Sequence, residues 1–208
     1  MATPASSRPA RKPRSAPASQ QAETVDLRQR ILDVASELFY REGVRAIGVD
    51  LIVERADVAK TSLYRYFPTK DDLVAAFLAR EDAEYWQQWD DVVRTHEDDP
   101  SAQLAALMDG IGQRVARAGY RGCPQLNVTA EFADAQLPAR RLAAAHKHEQ
   151  RRRLVVLCRQ LGCRDTERVA GQLAVLIDGA FTSGNLLLGK AASKTLQAAA
   201  AALITAAH

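Results

Sequence analysis

Cysteine is scarce in this chain: Cys123, Cys158 and Cys163 are odd in number and show no Cys-x-x-Cys spacing. That argues against a disulfide framework or a cysteine zinc site and for a reducing compartment, so the cytoplasm is the expected location. No stretch approaches the roughly 20 apolar residues that span a membrane, and no membrane partner is expected. The N-terminal region has no apolar run of signal-peptide length, and Pro4, Pro9, Pro13 and Pro17 spoil the amphipathic helix of a transit peptide. Strand-type alternation is missing throughout. So are a nucleophile elbow, a phosphate loop, a His-Glu-x-x-His run and any metal-ligand spacing, which sets aside an enzyme, a catalytic residue, a metal or a cofactor. One absence is local: between Asp57 and Asp71 there is no acid.

Positive charge is present but unevenly placed. The formal charge is +3, yet Arg8, Arg11, Lys12 and Arg14 give residues 1–22 a charge of +4 without an acid, which leaves −1 for residues 23–208. Residues 1–22 read as a disordered basic arm, rich in Pro, Ala and Ser. Such an arm is either a solvated tail or a strand of charge that follows DNA through its phosphates and minor groove.

Residues 23–70 carry the most specific pattern. The first helix is predicted over about 25–42, with Leu27, Ile31, Ala35, Leu38 and Phe39 inward and Gly43 as its stop. Residues 49–73 then read as two short helices around a tight turn. Ile52 and Ala56 repeat at i, i+4, Val58 lies in the turn, and Leu63 and Phe67 repeat the spacing, so the five make a shared core. Lys60, Thr61, Tyr64 and Arg65 are left outward on an acid-free face that meets phosphates and base edges without repulsion. That is the layout of a helix-turn-helix whose second helix enters the major groove.

At these residues the chain resembles the TetR family of bacterial transcriptional regulators. The resemblance rests on Leu63-Tyr64-Arg65-Tyr66-Phe67 followed by Thr69-Lys70, on Arg30 to Ala35 with Leu38-Phe39, and on Gly43, and so covers roughly residues 24–75. Three positions depart from the family pattern: Gly48 stands where a capping threonine is common, Asp57 where the turn has glycine, and Ala59 where a serine caps the recognition helix. Loss of such a cap costs on the order of 1 kcal/mol, whereas Asp57 visits left-handed backbone more readily than most residues. The resemblance implies that Tyr64, Tyr66 and Lys70 hold the phosphate backbone of double-stranded operator DNA. Lys60, Thr61 and Arg65 are assigned to base edges, and Ser62 and Gly48 complete the residues given to the DNA face.

Beyond Thr69, every segment reads helical. A long helix is expected from Lys70 to about His96, then helices over about 101–118, 124–133, 138–161, 166–188 and 193–207, with prolines at the changes of pattern. The fold class is all-α: an N-terminal helix-turn-helix domain (23–70) and a C-terminal helical domain for effector binding and dimerisation (71–208). The last two helices are rich in Ala and Leu with wide apolar stripes, and the resemblance implies that they pair with their copies in a homodimer.

For a ligand, the segment Tyr120 to Phe132 also resembles one that closes the effector cavity in the family. Asn127 and Glu131 lie at i, i+4, and an inward face would make them the few polar groups of an apolar site. Tyr85, Trp86, Trp89, Met108, Ile111, His146 and Phe181 are the other candidates, each equally readable as core. His148 points elsewhere than His146, so the pair makes a poor metal site, and Arg151-Arg152-Arg153 reads as a solvated face. Two classes remain open. The chain is a dimeric repressor released from a palindromic operator by a small, mainly apolar effector, or a constitutive or redox-sensing regulator, with Cys123 as the thiol, that has no small-molecule ligand.

Overall fold

The computed structural model describes residues 18–208, with side chains from Asp26 onward. The expected basic arm therefore lies outside the described residues, except for residues 18–22, which belong to the first helix. That helix, α1 (Ala18–Glu42), begins before residue 25. Its first turns hold good helix formers but no apolar stripe, so propensity extends it where periodicity gives no signal. Then come α2 (Val49–Ala56), α3 (Lys60–Tyr66), α4 (Lys70–Thr95), α5 (Pro100–Val115), α6 (Pro124–Glu131), α7 (Pro138–Gln160), α8 (Thr166–Leu187), a 3-10 turn (Gly189–Ala191) and α9 (Ala192–Thr205). Among the described residues there is no strand, and no helix is long and apolar enough to cross a membrane.

Local chemistry sets the helix ends. Gly43, at φ 91°, stops α1, its N–H donating to the Phe39 carbonyl at 3.1 Å. The Thr69 hydroxyl accepts from Asp72 N–H while the Asp72 carboxylate accepts from Thr69 N–H, a reciprocal capping box that starts α4. Asp99 and Asp165 cap α5 and α8 one way only, their carboxylates accepting from Ala102 and Arg168 N–H, and Pro100, Pro124 and Pro138 each open a helix, where a missing N–H is harmless.

Two cores result. The first joins α1, α2 and α3 through Ile31, Phe39, Ile52, Ala56, Leu63 and Phe67, and is completed by Leu73, Val74, Phe77 and Leu78 of α4. It also takes in Val128 of α6 and Ala139 of α7. The boundary expected at residue 70 thus falls at the start of α4, and the first core reaches past it. The second core lies among α4, α5, α7, α8 and α9, centred on Met108, Leu154, Leu173 and Ile177. Two helices approach closely at Gly112, where an added Cβ would lie 2.4 Å from the Ser193 backbone, so α5 and α9 require glycine there. On α7, His146 is buried while Leu142, one turn before it, is exposed.

Candidate DNA interface and effector cavity

The second helix of the helix-turn-helix presents the expected face. Leu63 is fully buried, while Lys60, Thr61, Tyr64 and Arg65 are exposed and Ser62 and Tyr66 are half-buried. Asp57 adopts left-handed backbone (φ 49°, ψ 59°), and its carbonyl accepts from Arg30 Nη2 at 3.1 Å, which ties the turn to α1. Gly48 and Ala59 occupy the cap positions of α2 and α3 without a side-chain hydrogen bond. Arg65 lies against the Tyr66 ring, 5.0 Å from its centroid, and donates to its hydroxyl at 3.3 Å, so its planar fork is held in place.

Two of the assigned cations are occupied within the chain. Lys60 Nζ lies 2.6 Å from the Asp50 carboxylate at an exposed site, and that partner raises its pKa. DNA contact by Lys60 therefore exchanges one anion for another. Lys70 Nζ donates to the Val44 carbonyl at 2.6 Å, and burial lowers its pKa. This ties the start of α4 to the turn after α1, a role the sequence does not signal.

In the second domain the aromatic candidates form one cluster. The Tyr85 ring contacts Trp86 and His146 at 4.9 Å and Trp89 and Phe181 at 6.3 Å between centroids. Its hydroxyl accepts from Gln150 Nε2 at 2.9 Å, and burial pushes its pKa up. Around this cluster the free space is divided. A slot of about 50 Å³ is walled by Tyr85, Trp89, Leu107, Ile111, Arg114 and Phe181. An open polar cleft of about 250 Å³, with Tyr40, Glu81, Glu84, Arg117 and Tyr120 on its walls, shares Gln88 and Arg114 with that slot. Glu81 pairs with Arg114 at 3.3 Å, yet burial still raises its pKa. A third hollow of about 190 Å³ lies between α4, α6 and α7 and is lined by Trp86, Gln125, His146 and Glu149. Met108 lines none of these; it is fully buried and borders a surface hollow between α5 and α9.

Asn127 and Glu131 require correction. Asn127 Nδ2 donates to the Arg121 carbonyl at 2.9 Å, and its amide oxygen abuts Gly122. Glu131 is turned to the first domain: Oε1 accepts from Val44 N–H at 3.2 Å and Oε2 from Arg45 N–H at 2.7 Å. Neither lines the hollows beside Trp86 and Trp89. The i, i+4 rule rightly places them along one side of α6, but that side meets loop backbone rather than an apolar void. Cys123 is buried before Pro124 and desolvation raises its thiol pKa, which counts against the redox-sensing alternative. A helix N-terminus activates a thiol only where burial does not outweigh it. The arginine run is a paired face: Arg151 with Glu167, Arg152 with Glu149, and Arg153 with Glu149 and Asp90, its guanidinium 4.3 Å over Trp86.

These features match known proteins. The family model for bacterial regulatory proteins of the tetR family matches residues 31–77. The crystal structure of a TetR-family transcriptional regulator from Streptomyces coelicolor is similar with 30% identity and a TM-score of 0.84, over 88% of this chain and 96% of that one. The HTH-type transcriptional repressor KstR of Rhodococcus jostii is 48% identical over 54 residues, 26% of this chain and 26% of KstR. The HTH-type transcriptional repressor NemR of Escherichia coli is 26% identical over 110 residues, 52% of this chain and 55% of NemR. The chain thus spans about a quarter of the length of the KstR relative and half that of NemR. The similarity to the Streptomyces protein runs through both domains, and the chain belongs to the TetR family of bacterial transcriptional regulators.

Proposed function

We propose that the protein is a homodimeric repressor that binds a palindromic DNA operator and leaves it when a small molecule occupies the second domain. The observation that carries this reading is α3: its buried Leu63 fixes the helix on the core, while Thr61, Tyr64 and Arg65 stand exposed with no acid among them. Arg65 and Thr61 read base edges, the guanidinium toward guanine and the threonine methyl toward thymine. Tyr64 and Tyr66 hold phosphates and set the register.

Dimerisation through the last two helices is supported, on α8, by an uncovered face. Val175 is 74% exposed and Leu186 80%, and they share one side of α8 with Gly179, where an added Cβ meets nothing within 4 Å. Leu187, 78% exposed, widens the patch. An apolar stripe with a small residue at its centre suits close approach of the same helix from a second copy about a two-fold axis.

The effector site is the slot and cleft joined at Gln88 and Arg114. Ligand cavities generally run from about 300 Å³ upward, so a ligand enters by parting α4 from α5 around Trp89, Leu107 and Ile111. Movement of α4 then changes the spacing of the two recognition helices, which must sit about 34 Å apart to enter successive major grooves. DNA and effector compete through that one element.

Selection of bound duplexes from a random pool, followed by footprinting, tests the DNA reading. The expected result is an inverted repeat protected on one DNA face, with an affinity at least about a thousandfold above that for random sequence. Enrichment of no motif, or of a single unrepeated site, would overturn it.

A further inference from the structure

Residues 43–45 and the last residue of α6 are joined by a set of hydrogen bonds that neither the helix-turn-helix fold nor a ligand cavity requires. Gly43 is in left-handed backbone, so the next two N–H groups, of Val44 and Arg45, point the same way and form a small anion-binding concavity. The Glu131 carboxylate sits in it, one oxygen to each N–H at 3.2 and 2.7 Å. Arg45 Nη1 returns a bond to the Glu131 carbonyl at 3.3 Å, and Lys70 Nζ takes the carbonyl of the same Val44 at 2.6 Å. The turn, the first residue of α4 and the last residue of α6 are thereby locked at one point. One turn back along α6, Val128 is buried in the first core, while Cys123 ahead of the helix is buried in the second. This eight-residue helix therefore bridges the two cores, and only its C-terminal end carries charge.

We propose that Glu131 is a positioning residue for DNA recognition: seated in the Gly43–Arg45 turn, its carboxylate fixes the angle of the helix-turn-helix unit against the second domain. In a dimer this angle sets the distance between the two α3 helices. The inference rests on the dimeric operator reading above, and it adds which residue holds the DNA-competent geometry. Glu131 and the two N–H groups are complementary in number and charge. Gln keeps one acceptor but turns an NH2 toward the second N–H, so Glu131→Gln loosens the lock while leaving α6 and its Val128 contact in place. Thr129→Ala, an exposed position two residues earlier in α6 whose hydroxyl bonds only the Gln125 carbonyl of the same helix, serves as the control.

Two readouts separate positioning from simple stabilisation. The first is affinity for a set of operators whose half-sites are moved closer or further apart by single base pairs. The parent favours one spacing. Glu131→Gln is expected to bind that operator about tenfold more weakly, within the usual range of coupling between sites, and to discriminate little among spacings, while Thr129→Ala follows the parent. The second is the distance between spin labels on Glu54→Cys and Arg141→Cys, both exposed positions, in labelled subunits diluted into unlabelled ones. One narrow distribution in the parent should broaden in Glu131→Gln. A parent-like spacing profile and distance distribution in Glu131→Gln would overturn the proposal. So would weaker binding accompanied by lost protection of the α3 amides from hydrogen exchange, which would make Glu131 a fold-stabilising cap. A parent that binds without any spacing preference would instead sink the dimeric operator reading, and the label distances alone then decide the role of Glu131.

Discussion

His146 Nδ1 lies 2.5 Å from the Asp82 carboxylate across the contact of α7 with α4, while its Nε2 is buried with no partner. The ring is wedged between Tyr85 and Trp86, and its pKa is lowered, because desolvation outweighs the attraction of Asp82. A neutral ring with its proton on Nδ1 satisfies Asp82 and leaves Nε2 a lone pair, which is cheaper to bury than an N–H without an acceptor.

A pH dependence follows. The unfolded histidine takes up a proton near pH 6.5, whereas the folded one does so only at lower pH. The unfolded state therefore binds more protons in that window, and stability falls as pH drops below about 6.5 until the folded ring also titrates. Melting temperatures of the parent should decline from pH 7 to pH 5, and more steeply than those of His146→Gln. Parallel curves for the two proteins would mean that His146 does not titrate differently on folding. The comparison must be made within the pair, because the raised pKa of Glu81 gives a contribution of opposite slope in both.

Arg65 and Lys70 should separate in DNA binding. Arg65→Ala is expected to cost about 1–3 kcal/mol on the best operator and to relax preference at one base pair. Lys70→Ala should leave the salt dependence of binding nearly unchanged, because its ammonium is engaged with the Val44 carbonyl. It should instead lower the stability of the first core by about 1 kcal/mol, a charge-assisted hydrogen bond discounted for partial exposure. A salt slope that falls by about one unit in Lys70→Ala would return this lysine to the phosphate contacts.

The uncovered face of α8 gives the dimer test. A charge placed in an apolar interface loses hydration without a partner, so Leu186→Glu should yield a monomer in sedimentation at micromolar concentration. Its melting temperature should fall with loss of the dimer, but helix content should hold, since Leu186 touches little within its own chain at 80% exposure. A variant that sediments like the parent would place the interface elsewhere.

What the sequence made legible was whatever repeats with helical period or carries a strong end signal. The ends of α5, α7 and α8 fall within a few residues of expectation because Pro100, Pro138 and Asp165 mark their starts. The face of α3 was legible because Leu63 and Phe67 define its inside. The partners of Glu131 were not, because its hydrogen bonds reach 86 and 87 residues back to backbone groups that have no sequence signature. Lys70 was assigned by family pattern to phosphate, and its bond to Val44 depends on how α4 leaves the first core. The aromatic candidates were found as residue types, but periodicity does not distinguish a filled cluster from a lined cavity. Only the packing of Tyr85 against four other rings shows how little space is left.

The effector slot can be closed from its α5 wall without disturbing the DNA-binding unit. Gly110 borders the slot, lies inside a helix and has no atom within 4 Å of an added Cβ. Replacing glycine by a good helix former in a helix interior raises stability by up to about 1 kcal/mol, because the unfolded chain loses freedom. Gly110→Leu should therefore melt slightly higher than the parent and extend its side chain over the gap beside Trp89 and Ile111. Operator affinity should stay within about twofold of the parent, since residue 110 lies in α5, which contributes no buried residue to the core that holds α3. Apolar molecules found to release DNA from the parent, in a screen read by operator-bound fluorescence, should fail to release Gly110→Leu. If such a molecule releases both proteins equally, the effector does not enter through the slot, and the hollow beside His146 takes its place as the site.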